Sequence, residues 1–321
     1  MIHSPTAWVV FSVLVLGMLA LDLMVLHRRA HAVLFREAVA WSIVWIAAAL
    51  AFNLGVFIAF GSQKGMEFLA AYLIEKSLSV DNLFVFVAIF TYFSVDARYQ
   101  HRVLFWGILG ALLMRGIFIF LGLAAIERFH WMTYVLGGFL VLTGIRFARE
   151  ETEVHPEKNP VVIFFRKIVP VTPDFRGQAF FVREKGRLFA TPLMVVLLVV
   201  ELTDVIFATD SVPAVLAVAK DPFIVYTSNV FAILGLRALY FVLAGAIVRF
   251  EYLRYGLAAI LIFVGAKMLL YHFVRIPIAI SLGVIGLLLL LSVAASLGAG
   301  HRRRHFERSE KSGFQRRDSS A

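Results

Sequence analysis

The chain of 321 residues contains no cysteine. Disulfides, thiolate zinc sites, iron–sulfur clusters and cysteine nucleophiles are therefore excluded. Charge is also scarce, at 16% of residues against about 25% in soluble domains. The sequence has no G-x-S-x-G, no H-E-x-x-H, no P-loop and no G-x-G-x-x-G. An intramembrane aspartyl protease would want glycine beside its catalytic acid, and neither Asp81 nor Asp210 has one. No enzymatic activity and no resident cofactor are expected. All nine histidines lie in or beside predicted loops.

What fills the chain instead is apolar residues, 61% of the total, with a mean hydropathy of +0.86. They fall in nine segments of roughly 18–30 residues, the length a bilayer demands of a helix. The segments are 6–26, 37–60, 66–93, 101–125, 131–148, 189–219, 223–248, 253–273 and 277–298. The expected fold is an all-α polytopic membrane protein. The first span lacks a basic leader and reads as an anchor. Segments 66–93 and 189–219 exceed what a bilayer needs, which predicts tilt or a break.

Lysine and arginine set the orientation. Alternate connections (27–36, 94–102, 146–188, 249–254 and the tail from 299) hold 23 of the 31 basic residues. The opposite connections hold only Lys64, Arg128, Lys220 and Arg275. Positive-inside bias then places the N-terminus outside and the C-terminus in the cytoplasm. The net charge of +10 reflects these loops and implies no nucleic-acid partner. The long loop 149–188 carries apolar stretches suited to a membrane surface. The tail 299–321 reads as disordered and basic, attracted to anionic lipid.

The chain repeats itself. Glu75-x5-Asp81 matches Asp204-x5-Asp210, Arg115 matches Arg237, and Tyr134-x9-Gly144-x-Arg146 matches Tyr255-x9-Gly265-x-Lys267. Residues 66–148 and 189–273 are read as two copies of a three-helix unit. Three spans are an odd number, so the second copy crosses in the opposite sense. Inverted repeats of this kind are typical of secondary transporters, with the site at the repeat interface near the midplane.

Six acids lie inside predicted spans: Asp22, Glu75, Asp81, Glu201, Asp204 and Asp210. At about 2.5–3.5 kcal/mol each, exposing them all to lipid would cost about 15–20 kcal/mol. Pairing with Lys76, Arg115, Arg237 and Lys267 accounts for some of them, but six acids exceed four bases. A surplus of intramembrane negative charge points to a cation site. Glu201 and Asp204 share a helix face, whereas Glu75 and Asp81 lie about 120° apart. Convergence on one ion then requires an unwound helix, and Ser79–Asn82 and Thr209–Pro213 are the expected break points. Supporting donors are the hydroxyls and amide of Ser77, Ser79, Asn82, Thr203, Thr209 and Ser211. This is a hard, oxygen-only set suited to Mg²⁺, Ca²⁺ or Mn²⁺, with proton relay left open. Gly107, Gly110, Gly116, Gly122, Gly137, Gly138 and Gly144 are read as helix-packing contacts rather than ligand contacts.

The segments YLIEKSLSVDNLFVF at 72–86, LFWGILGALLMRGIFIF at 104–120 and VVELTDVIFATDSVPAV at 199–215 carry a family resemblance. REAVAWSIVWIAAALAFN at 36–53 and LALDLMVLHR at 19–28 fit it too. The chain resembles the TerC family of integral membrane proteins, in its Alx-like branch, over roughly residues 6–298. The resemblance implies a bacterial inner-membrane protein of manganese homeostasis, with Mn²⁺ export and, in the wider family, tellurite resistance and calcium. It also implies that Glu75, Asp81, Glu201, Asp204 and Asp210 bind metal, joined by Asp22; Arg115 and Arg237 are read as holding the acids in place when the site is empty. Two other readings stay open. One is a membrane-assembly or stress-complex partner acting through loop 149–188 and the tail. The other is an exporter of a different cation, calcium or organic.

Overall fold

The computed structural model describes residues 5–26, 35–129, 131–149, 165, 167–184, 186–245, 253–270 and 276–296. The side chains of residues 21–26, Asp81, Phe84, Phe147, Gly245, Leu253 and Arg254 lie outside the described set. So do the tail 299–321 and residues 150–164, 166 and 185 of the loop 149–188.

Ten helices are described. They are α1 (Pro5–Leu26), α2 (Phe35–Phe60), α3 (Ser62–Tyr92), α4 (Ala97–Arg128), α5 (Met132–Arg149) and α6 (Pro192–Leu216). They continue with α7 (Pro222–Leu234), α8 (Leu236–Gly245), α9 (Leu253–Leu269) and α10 (Ile278–Ser296). Polar residues decide where several of them start. The Asp221 carboxylate accepts from the amides of Phe223 and Ile224 at 3.0 and 3.3 Å, and Pro222 follows at the first helical position. Asp96 caps α4 by accepting from the Arg98 amide at 3.1 Å. One residue, Gly61, separates α2 from α3, and its φ of +88° is a conformation that side chains with a Cβ rarely adopt.

Five described stretches are long and apolar enough to cross a membrane: α2, α4, α6, α7 with α8, and α10. Shorter apolar helices lie at Pro5–Ala20, Met132–Arg146 and Tyr255–Leu269. At 31 residues α3 has the length, but Lys64, Glu67, Glu75, Lys76 and Asp81 dilute its apolar character. The protein is thus an all-α, multi-pass membrane protein with one small addition. Strands β1 (Phe181–Glu184) and β2 (Arg187–Ala190) form an antiparallel hairpin in register Phe181↔Ala190. Four-residue strands leave no periodic pattern, so the apolar runs carry no sign of it.

The expected break points are not where the chain breaks. Both α3 and α6 run without interruption, α6 straight through Pro213. Pro213 costs α6 the bond its amide would have made to the Thr209 carbonyl, yet the helix runs on to Leu216. The break falls instead in the predicted span 223–248, at Gly235 between α7 and α8.

The main helix contacts join α5 to α9, α4 to α6, and α3 to α7 and α8, with α3 also against α6 and α4 against α7. Glycines allow the closest approach between α5 and α9. A Cβ added at Gly265 would lie 2.6 Å from the Gly137 carbonyl, and one at Gly144 would lie 2.8 Å from the Ala258 carbonyl. Outside this core, α1 packs on α7, and α2 packs on α3, α7 and α8. On the far side, α10 is tied to α9 by Lys267 donating to Ser281 at 2.9 Å.

Candidate cation site

Three charged residues meet at mid-helix. Glu75 is the fourteenth of the 31 residues of α3, Arg115 the nineteenth of 32 in α4, and Asp204 the thirteenth of 25 in α6. Glu75 and Arg115 are fully buried and Asp204 nearly so. The Arg115 guanidinium donates side-on to Asp204, Nε to Oδ2 at 3.1 Å and Nη2 to Oδ1 at 2.9 Å. Its Nη1 pairs with Glu75 Oε1 and reaches Ser211 Oγ at 3.4 Å. One guanidinium thus bridges carboxylates from two helices, in the two-pronged geometry that arginine favours. The trio retains one net negative charge.

On α3, Glu75, Ser79 and Asn82 follow the i, i+4, i+7 spacing that places them on one face, and all three are buried. Among the described residues, Glu75 Oε2 and Ser79 Oγ have no hydrogen-bond partner. An unsatisfied buried oxygen costs about 1–3 kcal/mol, so two of them one turn apart call for a ligand-based explanation. A cavity with about 20 Å³ of water-sized space adjoins the cluster, lined by Asp204 and Arg237 together with Leu83, Ile108 and Leu236. That is room for about one water.

The structure gathers some of the expected residues and separates others. Glu75, Arg115, Asp204 and Ser211 come together, and Arg237 faces the same cavity as Asp204. Glu201 sits one turn before Asp204, with its carboxylate in a notch on α4 where Gly110 has no side chain; a Cβ there would collide with it. Of the seven glycines read as packing contacts, Gly107, Gly116, Gly122, Gly137 and Gly144 face neighbouring helices, whereas Gly110 faces this acid and Gly138 has open space. Asp210 points elsewhere. Six residues past Asp204 on an unbroken helix, it is turned about 120° away and accepts from Thr143 Oγ1 of α5 at 3.2 Å. Thr209 is exposed and donates to the Ile206 carbonyl at 2.6 Å. The side chains of Asp22 and Asp81 lie outside the described set. Among the described residues, no three acids or histidines converge closely enough to hold a metal unaided. The continuity of α3 and α6 explains this, because convergence depended on their unwinding.

Sequence reasoning did not find the Gly110 notch, the Thr143 partner or the Gly235 break. Gly110 and Thr143 act across helices distant in sequence, and neither carries a local signal.

The chain matches the integral membrane protein TerC family over residues 60–304, from the start of α3 past the end of α10. It belongs to the TerC family. Relatives cover nearly the whole length. A membrane protein of Myxococcus xanthus, STKORF319, is 53% identical over 297 residues, covering 92% of this chain and 93% of its own. Alx of Escherichia coli K12, provisionally described as a membrane-bound redox modulator, is 47% identical over 311 residues, covering 94% of this chain and 97% of its own. A membrane protein of Rickettsia bellii is 38% identical over 292 residues, covering 91% and 97%. No solved structure matches.

Proposed function

We propose that this TerC-family protein is a secondary exporter of divalent metal ions, Mn²⁺ first, with nine spans built around an inverted 3+3 repeat. The reading places it in the bacterial inner membrane with its C-terminus in the cytoplasm, in line with the basic connections. The observation that carries it is the buried pair Glu75 and Asp204, one from each repeat at matching positions, sharing Arg115 at mid-helix. Two intramembrane acids at equivalent places on opposed helices are what a two-sided ion site needs.

Packing supports the repeat. The motifs of α5 and α9 correspond after a shift of 121 positions. That shift carries the close approach of Gly144 to Ala258 onto that of Gly265 to Gly137, which is the reciprocal contact required by a twofold axis between α5 and α9. The pairing of α4 with α6 likewise mirrors that of α3 with α7 and α8.

In the arrangement described, Arg115 occupies the space between the acids as their counter-cation. A divalent ion would displace it, drawing on Glu75, Ser79, Asn82, Asp204 and Ser211 as oxygen donors. Glu201 would complete the shell or take a proton, and Asp81 and Asp210 would bind along the path. Rocking of one repeat against the other would alternate access, with Arg115 closing the acids after release. Hard oxygen donors fit Mn²⁺, Mg²⁺ and Ca²⁺ alike. Among these Mn²⁺ is the redox-active ion, which is also the simplest link between a chain without cysteine and the redox description carried by its Alx relatives.

The test is metal content and efflux in manganese-loaded cells. Wild type is compared with Glu75→Gln, Asp204→Asn and the pair Asp81→Asn/Asp210→Asn at matched membrane expression. Lower manganese in wild type, lost in Glu75→Gln and Asp204→Asn, supports the reading. Unimpaired efflux in those two variants sinks it. Deleting 299–321 and rewriting loop 149–188 distinguishes the assembly-partner reading, which requires those segments and not the acids.

A further inference from the structure

The break at Gly235 frees a carbonyl. In a continuous helix the Ala232 oxygen would accept from the amide of residue 236; here α7 ends at Leu234, and Gly235, at φ −81° and ψ −2°, intervenes before α8. The Lys76 ammonium from α3 supplies the missing donor, with Nζ 3.1 Å from the Ala232 oxygen. Glycine at 235 keeps the space open, since a Cβ there would lie 2.7 Å from Lys76 Nζ and 3.2 Å from Trp45 Cβ. Among the described residues no carboxylate forms an ion pair with Lys76. Its counter-charge is the negative end of the α7 dipole, about half an elementary charge.

We propose that the break between α7 and α8 is a monovalent-cation site whose occupant is built into the chain as the Lys76 ammonium. Transporters commonly place an exchangeable Na⁺ where unwound carbonyls and half-helix C-terminal ends converge. A primary ammonium offers the same unit charge and compact, donor-only surface on a tether. The transport clause rests on the export reading, and the site itself does not. Its consequence is that cargo moves with no exchangeable Na⁺ or K⁺ at the break.

The repeat supplies an internal control. By the motif correspondences, Lys76 is matched by Val205 on α6 and Gly235 by Leu113 on α4. The first-copy helix is unbroken at Leu113. The charge appears in the copy that faces a broken helix and is absent from the copy that faces an intact one.

Lys76→Ala and Lys76→Ser in the full chain both vacate the site and leave Gly235 in place. Thermal unfolding of each purified protein is measured in choline chloride, too bulky to enter, and in NaCl, KCl and methylammonium chloride. The wild type is expected to be indifferent to the choice. Both variants are expected to unfold at lower temperature in choline and to recover at least half of the deficit in one of the small cations. Mn²⁺ flux in proteoliposomes should follow the same pattern, at least tenfold down in choline and restored by the same cation. Variants whose stability is the same in all four salts overturn the proposal. A wild type that moves no Mn²⁺ overturns the export reading and leaves the stability test standing.

Discussion

Replacing Arg115 with methionine separates the two effects of its charge. The guanidinium is fully buried between Glu75 and Asp204, with three hydrogen-bonding nitrogens engaged. Methionine preserves much of the volume and removes the cation. Breaking a buried ion pair from one side costs about 3–5 kcal/mol, because the abandoned charge stays buried. Two carboxylates are abandoned here, so the upper part of that range is expected, about 5 kcal/mol. At 1.4 kcal/mol per decade this is a fall of about three and a half decades in the folding equilibrium. Neutralising the acids as well, in Arg115→Met/Glu75→Gln/Asp204→Asn, should recover most of it, since replacing both sides of a buried pair is near neutral. The assay is the unfolding free energy of the reconstituted protein for wild type, the single variant, the double Glu75→Gln/Asp204→Asn and the triple. The coupling between Arg115 and the acid pair should be about 3 kcal/mol or more. A single variant within 1 kcal/mol of wild type, or a triple as unstable as the single, would refute the view that Arg115 is the cation neutralising this site.

Gly110→Ala places a methyl group in the notch holding the Glu201 carboxylate; it should leave the fold intact by circular dichroism and reduce manganese efflux at least tenfold, and Gly110→Ala/Glu201→Ala should restore packing without restoring efflux. Gly265→Ala drives a Cβ to 2.6 Å from the Gly137 carbonyl, so overpacking should cost about 1–3 kcal/mol in thermal stability. If the repeats are equivalent, Gly144→Ala should cost about the same. Outside the membrane spans, hydrogen bonds from Arg98 hold the Asp96 carboxyl below the usual carboxylate range. Its contribution is therefore fully present above the unfolded-state value near pH 4 and lost as pH falls through the lower folded value. Hydrogen-exchange protection of the first turn of α4 should drop only in that acid window, and in Asp96→Ala should be low at all pH.

The membrane class and the helix positions were legible in the chain itself. Apolar runs long enough for a bilayer leave little choice of structure, because backbone groups in lipid must be satisfied within the segment. The predicted segments fall on described helix, with 223–248 on the two helices α7 and α8, and five described stretches are long and apolar enough to cross a membrane. The acids were legible because charge is so costly in that setting that it appears only for a reason. The proposed repeat also aligns Glu75 with Asp204 and Arg115 with Arg237, from the order of the motifs.

Only the tertiary structure decided which charges meet. Arg115 lies 89 positions from Asp204, and no spacing rule connects them. A straight helix turns Asp210 away from Asp204, so the facing of each acid depended on whether α6 unwinds, and local chemistry misled there. Proline is the stronger helix breaker in isolation, yet α6 runs on past Pro213 to Leu216. Gly235 lies where α7 ends, and Lys76 and Trp45 from other helices fill the space a side chain there would need. Composition and periodicity are local properties and fix helices and their burial. Partners across helices depend on how the helices rotate and approach, and that is set by the small residues and charges of the whole bundle acting together.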